Sequence, residues 1–554
     1  MKIHSISSLR SANCRRSALG FLTVLATLGC LVSPIVAQRV QVAKPQKVQI
    51  DWPAAARDAL ALSPRLSDDS KEKALSTQRQ IRAARRLNSY SIKDGMAPLA
   101  RLNELVAERY PGVATVPIPV LAPIDTDRLL TEGLEAGEGR RKANASYINE
   151  LIGAMQFLPG QSGYDAVLTV SMSGLRNLGI AAEIEAQVLL AGTNLSYGTY
   201  DRGEIVADMQ DLHPGLRRLL GSDEVTYTFS KYGVPYFANI ACSNGMPTPK
   251  ELACTQADAI ARSVLRGLRL IGGGPLPIKP RAAAAVRNLA AVSPDFKYFA
   301  PGALLPGTSE QGKGGSTSGN IYGNNLLFPL KIAPVFANSQ VFMHGGDCLG
   351  QKQSLGKKSK DGHELYVCQQ NPSKVLEQLE GHGENYSYPW RDNYCESRGD
   401  GSPIECPVMQ GHAGQDIRPS NCAKESKNPE RCRIDIFDVV AVTAGHALWK
   451  TGTHENNLRL NLDTGEEKLY YLYLHMSTKA LKDAGMIRGK AVPVRRGQLV
   501  GKVGNFEHGT PNGTTAHLHF EVRRGDLIGD PLSPYMTLIR AYEQLIGAKG
   551  TELP

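Results

Sequence analysis

No Cys-x-x-Cys pair occurs in the 554 residues, which argues against a zinc ribbon or any thiolate metal site of that spacing. No acidic residue precedes Asp51. The opening residues carry Lys2, Arg10, Arg15 and Arg16, and an uncharged run rich in Leu, Val and Ala follows from Ser17 to Gln38. A basic start, an apolar middle and small residues near a cut after Ala37 form the pattern of an export signal, removed as residues 1–37. The run is also long enough to span a membrane as an uncleaved anchor. Gly20, Gly29, Cys30 and Pro34 weaken it as a helix, so cleavage is the expectation. Leu28-Gly29-Cys30 only faintly resembles a lipoprotein box. The signature of bulk disorder is absent as well: apolar residues make up 42% of the chain, enough for substantial cores.

Ten cysteines are present, and removing Cys14 and Cys30 with the leader leaves eight. An even number in an exported chain favours disulfides. Sequential pairing is expected, as Cys242–Cys254, Cys348–Cys368, Cys395–Cys406 and Cys422–Cys432. Lys and Arg exceed Asp and Glu, giving a net charge of +10. Four of those positive charges lie in the leader, so the mature chain keeps about +6. A basic exported protein meets anionic cell-wall polymer rather than nucleic acid, and touches membrane only transiently or through an uncleaved leader.

The length exceeds one ordinary domain. Residues 38–124 read as a solvated helical arm: Ala56–Leu62 and Asp69–Leu87 have helical composition, Leu99, Leu102 and Leu105 recur at helical spacing, and Pro111–Pro123 breaks the pattern. Residues 125–300 read as an α+β domain whose role the sequence does not state. Its strands are expected at Ala166–Met172 and Glu224–Ala241, the latter a hairpin turning at Lys231-Tyr232-Gly233, and its helix at Ala257–Leu270. Residues 301–324, rich in Gly and Ser, read as a linker that few contacts cross, so a fragment lacking 38–300 is expected to fold.

Residues 325–545 hold the informative stretch. Thr515-Ala516-His517-Leu518-His519-Phe520-Glu521-Val522 reads as one strand, and alternation puts His517 and His519 on one face with Leu518 and Phe520 on the other. Upstream, Gly411-His412-Ala413-Gly414-Gln415-Asp416-Ile417 sets a carboxylate four residues after an imidazole, and His475 ends a strand-like run from Leu469 to Met476. A His-x-His pair alone is as often surface or core as ligand, but five such positions in this order narrow the choice.

Together His412, Asp416, His475, His517 and His519 resemble the signature of the lysostaphin-type zinc endopeptidases: His-x-x-x-Asp, a lone His after a Tyr-rich strand, then His-x-His followed by Phe-Glu. The resemblance covers roughly 325–534. It implies an antiparallel β-rich domain of the duplicated hybrid motif type, following an N-terminal helical and α+β region in an α+β multidomain chain. It also implies one zinc per chain, held by His412, Asp416 and His519 with an open position for water. His475 and His517 would be the catalytic pair, as base, oxyanion stabiliser or acid. The implied activity is a periplasmic or secreted zinc metallo-endopeptidase acting on peptidoglycan. A non-catalytic activator of another wall hydrolase and a protein-cleaving secreted peptidase are the alternatives. The sequence departs from the family in two insertions. Gly345–Gln410 carries four cysteines and Tyr386, Tyr388, Trp390 and Tyr394, and Ser420–Cys432 follows Asp416 closely. Loops on a rigid scaffold set specificity, so these could shift substrate preference.

Overall fold

The computed structural model describes residues 45–62, 96–124, 151–275 and 287–554, apart from short interruptions, the longest being 244–250, 340–351 and 398–404. The leader 1–37, the stretch Asp69–Leu87 and Cys348 lie outside the described residues. The architecture is mixed α/β, with mostly antiparallel sheets and few helices. Among the described residues no helix is long and apolar enough to cross a membrane.

Seven antiparallel strands form the first sheet: β1 (Ile152–Pro159), β2 (Gly163–Val170), β3 (Gln187–Thr193), β4 (Glu204–Ile205), β5 (Arg217–Leu220), β6 (Glu224–Lys231) and β7 (Val234–Ala241), ordered β1-β2-β3-β7-β6-β5-β4. The β6–β7 hairpin turns at Tyr232 and Gly233, whose φ values of 54° and 73° suit the two-residue turns that match strand twist. Strand residues give way after Val170 to a short helix, Met172–Asn177, because Ser171 caps it by accepting from the Gly174 amide at 2.9 Å. The helix expected at Ala257–Leu270 runs from Cys254 to Gly267 instead. Leu268–Gly272 turns extended because it pairs with Val120–Pro123, a tertiary partner that local composition does not reveal.

The arm expected to be solvated is packed. Helices Trp52–Leu62 and Ala97–Val106 bury Ala55, Ala59, Leu99, Leu102 and Val106 in the same core as Tyr236, Ile260 and Val264.

The second sheet has eight strands: β8 (Phe336–Ala337), β9 (Gln415–Arg418), β10 (Gly445–Trp449), β11 (Leu458–Asp463), β12 (Lys468–Leu474), β13 (Ala491–Val494), β14 (Leu518–Arg524) and β15 (Pro531–Leu532). Their order is β8-β9-β14-β12-β11-β10-β13, with β15 on β14. On one face Leu469, Tyr471, Tyr473, Leu518, Phe520 and Val522 pack into a core with Trp390, Leu538 and Tyr542. The stretch Ile434–Ala444 contributes a strand only over Asp438–Val440, paired with Leu499–Lys502.

The other face of the second sheet meets the first. Val167, Leu189, Ala191 and Phe237 pack on Leu448, Tyr470, Leu472, Leu474 and Ala491. Beside them Lys468 Nζ lies 3.0 Å from Asp165 Oδ1, which also accepts from Tyr470 Oη at 2.7 Å. The Gly-rich stretch expected as a loose linker is likewise packed: Leu304, Thr308 and Ser316 are buried, and the Gly302 amide donates to Asp392 Oδ2 at 2.9 Å. All described residues belong to one compact unit spanning 39–554.

Candidate metal centre

Alternation along β14 builds the site. His519, Glu521 and Arg523 project from one face, in register with Leu474, Leu472 and Tyr470 of β12, while Leu518, Phe520 and Val522 enter the opposite core. The strand starts at Leu518, so His517 lies one residue before it, bridged to Gly504. Asp416 sits opposite His519 in the β9–β14 ladder. Gly414 is obligatory here for a steric reason: a Cβ would stand 2.6 Å from both His519 Nε2 and the Phe520 carbonyl oxygen. His475 follows the last residue of β12 with φ 69°, a left-handed conformation that is strained for a non-glycine residue and turns its side chain out of the strand's alternation.

These elements bring all five sequence-predicted residues together. His412 Nε2 is 2.9 Å from His519 Nδ1 and 3.5 Å from Asp416 Oδ1, and His519 Nδ1 is 3.2 Å from Asp416 Oδ1. His517 Nε2 is 3.3 Å from the same carboxylate oxygen. The His475 ring centroid is 4.6 Å from that of His517 and 5.9 Å from that of His519. All five are buried, with Asp416 fully enclosed.

The group His412, Asp416 and His519 could hold one metal ion. Tetrahedral zinc with donors at ~2.0–2.1 Å requires donor–donor edges of roughly 3.3–3.4 Å, and the observed 2.9, 3.2 and 3.5 Å bracket that value. Two imidazoles and one carboxylate also suit zinc better than calcium or magnesium, which favour all-oxygen shells.

The surrounding hydrogen bonds fix which atom faces inward. His412 Nδ1 donates to the Asn393 carbonyl at 2.9 Å, freeing Nε2. Asn393 Nδ2 donates to Asp416 Oδ2 at 2.8 Å, and the Asp416 amide donates to Asn393 Oδ1 at 3.1 Å, leaving Oδ1 toward the imidazoles. His519 Nε2 donates to Glu521 Oε1 at 3.0 Å, so Nδ1 points at Asp416. This carboxylate–imidazole arrangement is typical of metal-bound histidines. His475 Nδ1 donates to the Phe506 carbonyl at 3.0 Å and His517 Nδ1 to that of Thr515 at 2.7 Å, which fixes the orientation of both rings.

Two carboxylates gather negative charge around the His519 imidazole. Burial lowers its pKa, but hydrogen bonds to Asp416 and Glu521 overcome that and raise it to about 10. Burial opposes ionisation of Glu521, yet Arg523 and His519 bring it down to about 2. Burial, then the neighbouring His517 and His519, hold His475 well below the ordinary histidine value.

Sequence reasoning missed Asn393 and Arg523. Arg523 continues the alternation His517, His519, Glu521 and was findable; Asn393 comes from an insertion, where no spacing rule points to it.

Three of the expected disulfides form: Cys242–Cys254, Cys395–Cys406 and Cys422–Cys432. The pairing of Cys348 with Cys368 lies outside the described residues.

Fold and site therefore define a protein with a buried group of two histidines and one carboxylate that could hold a metal ion, on an antiparallel β-rich scaffold. No family model matches the sequence, and no curated protein matches it. Among solved structures the chain is similar to that of Helicobacter pylori Csd3 from the hexagonal crystal, at 16% identity over 34% of this chain and 42% of that one, with a TM-score of 0.17. The chain thus spans less than half the length of that protein, and a likeness of this size carries no argument about fold or function.

Proposed function

We propose that this protein is an exported zinc metallo-endopeptidase of the lysostaphin type that hydrolyses peptide bonds in bacterial peptidoglycan, its second sheet being the core of a duplicated hybrid motif. The observation that carries the reading is the convergence of His412, Asp416 and His519 with the rings of His475 and His517 beside them. Three disulfides support residence in an oxidising compartment, periplasmic or secreted.

His412 Nε2, Asp416 Oδ1 and His519 Nδ1 would hold the zinc. Bound there, it would bring a water's pKa near neutrality and polarise the scissile carbonyl. His475 and His517 would act through their Nε2 atoms, one accepting the proton released by the attacking water and the other steadying the developing oxyanion or protonating the leaving amine. Asn393, Glu521 and the carbonyls of Phe506 and Thr515 keep the four rings from rotating.

Close burial of all five residues favours a second reading, a non-catalytic activator of another wall hydrolase. Zymography on purified sacculi, with and without chelator, decides between them. Clearing that depends on metal is the expected result; no clearing by zinc-loaded protein supports the activator.

A further inference from the structure

Glu224 opens β6 of the first sheet, far in sequence from every residue of the metal centre. Its carboxylate nevertheless belongs to a continuous chain of charged hydrogen bonds that ends on His519. His519 Nε2 bonds Glu521 Oε1 at 3.0 Å, Arg523 Nε donates to the other oxygen, Glu521 Oε2, and Arg523 Nη1 donates to Glu224 Oε1 at 2.8 Å. Lys450 Nζ holds Glu224 Oε2 at 3.1 Å. All four of these residues beyond the imidazole are largely withdrawn from water, with side chains 5–15% exposed.

We propose that Glu224 is a positioning residue for the His519 imidazole, acting through Arg523 and Glu521, so that docking of the first sheet sets the metal centre. The inference rests on the metal-centre reading above. Its physical basis is the preference of a guanidinium for two-pronged pairing with a carboxylate. With Nη1 committed to Glu224, Arg523 reaches Glu521 through Nε at Oε2, and Oε1 accepts from His519. Without Glu224, Arg523 can turn both prongs toward Glu521, and the imidazole loses the acceptor that fixes its ring. Lys450 completes the arrangement by neutralising Glu224, which keeps two buried carboxylates near one guanidinium from repelling each other.

The test uses the full chain with 15N-labelled histidine. In zinc-free protein the His519 ring signals, assigned by their loss in His519→Gln, should shift in Glu224→Ala, the Nε2 signal most, because that nitrogen loses its fixed carboxylate partner. Zinc affinity, measured by competition with a chromophoric chelator, should fall about 10-fold, the lower end of what partners outside the ligand shell contribute. Gln156→Ala is the control. It cuts two other hydrogen bonds between the sheets, to the Ala491 carbonyl and amide at 2.7 and 2.9 Å, and should leave both readouts unchanged. If Glu224→Ala does not fold, Glu224→Gln, which keeps the shape and removes the charge, should show the same shift in smaller degree. Unmoved His519 signals in the folded variant overturn the proposal, as do equal changes in Gln156→Ala. A wild-type chain that takes up no zinc overturns the metal reading, and the ring signals still decide the role of Glu224.

Discussion

The two imidazoles on either side of Leu518, where β14 begins, carry different partners, and on the proposed reading they do different work. His519 Nδ1 faces His412 and Asp416 while its other nitrogen is held by a carboxylate, the setting of a ligand. His517 is held by the Thr515 carbonyl through Nδ1, and although its Nε2 lies 3.3 Å from Asp416 Oδ1 it stands outside the group His412, Asp416 and His519. His519→Ala should therefore be metal-poor and inactive. His517→Ala should keep its zinc while turnover falls by roughly 100-fold or more. Elemental analysis after dialysis, with sacculus hydrolysis, checks both; zinc lost from His517→Ala and kept by His519→Ala reverses the assignment. Asn393 offers a separate test, since one side chain touches Asp416 twice and its carbonyl takes His412. Asn393→Ala removes the side-chain bonds and should weaken zinc by about 10-fold or more in chelator competition.

At the scale of elements, the Cys395–Cys406 loop supports the same histidine. The Cys395 amide donates to the His412 carbonyl at 2.9 Å and the His412 amide to the Glu396 carbonyl at 2.8 Å, a short ladder closed by the disulfide. Replacing both cysteines by serine should cost about 3 kcal/mol by loop-closure reasoning and weaken zinc, as urea unfolding and chelator competition would measure. Disulfide pairing was legible because each pair is sequential and the three intervening loops are short. The β6–β7 hairpin and β12 were legible from apolar runs bounded by turn residues. What stayed hidden follows one pattern. The early end of the helix at Gly267, the burial of Leu99 and Leu102, and the packing of Leu304 are each imposed by a partner distant in sequence, and composition reports the segment without its partner. The five site residues were the reverse case, because their chemistry requires fixed types at fixed spacing.

For the whole molecule, the contact between sheets decides acid stability and whether the halves separate. Asp165 is buried; burial disfavours its charge, but Lys468 and the Tyr470 hydroxyl more than compensate, so its folded pKa lies below the ordinary carboxylate value. A carboxyl depressed on folding adds stability above its unfolded pKa of about 3.9 and loses it as pH falls further. Urea midpoints should thus drop below about pH 4, and Asp165→Asn should flatten that drop while lowering stability near pH 7 by about 3–5 kcal/mol, the usual effect of breaking a buried pair. Unchanged acid dependence in the variant would remove Asp165 as the cause.

A cut at residue 300 is the harder perturbation. Composition alone makes 301–324 look like a place to divide the chain, yet Phe296, just upstream, is 1% exposed and stacks edge-on against Trp390 and Tyr542 of the second core. Its strand, Val292–Phe299, pairs in parallel with Lys549–Leu553. Losing an aromatic side chain from such a core costs about 3–5 kcal/mol. The same cut uncovers Leu448, Tyr470, Leu472, Leu474 and Ala491 as one contiguous apolar face, and faces of that kind drive association. The fragment 301–554 should therefore be recovered largely insoluble. One beginning at residue 287 keeps Phe296, so it should unfold at higher urea, and it should still bind an apolar dye strongly through the bare face. Sedimentation and dye binding on the two fragments separate the contributions. A monomeric 301–554 that binds no dye would mean the second sheet is complete without the first, and that the metal centre is held without help from across the contact.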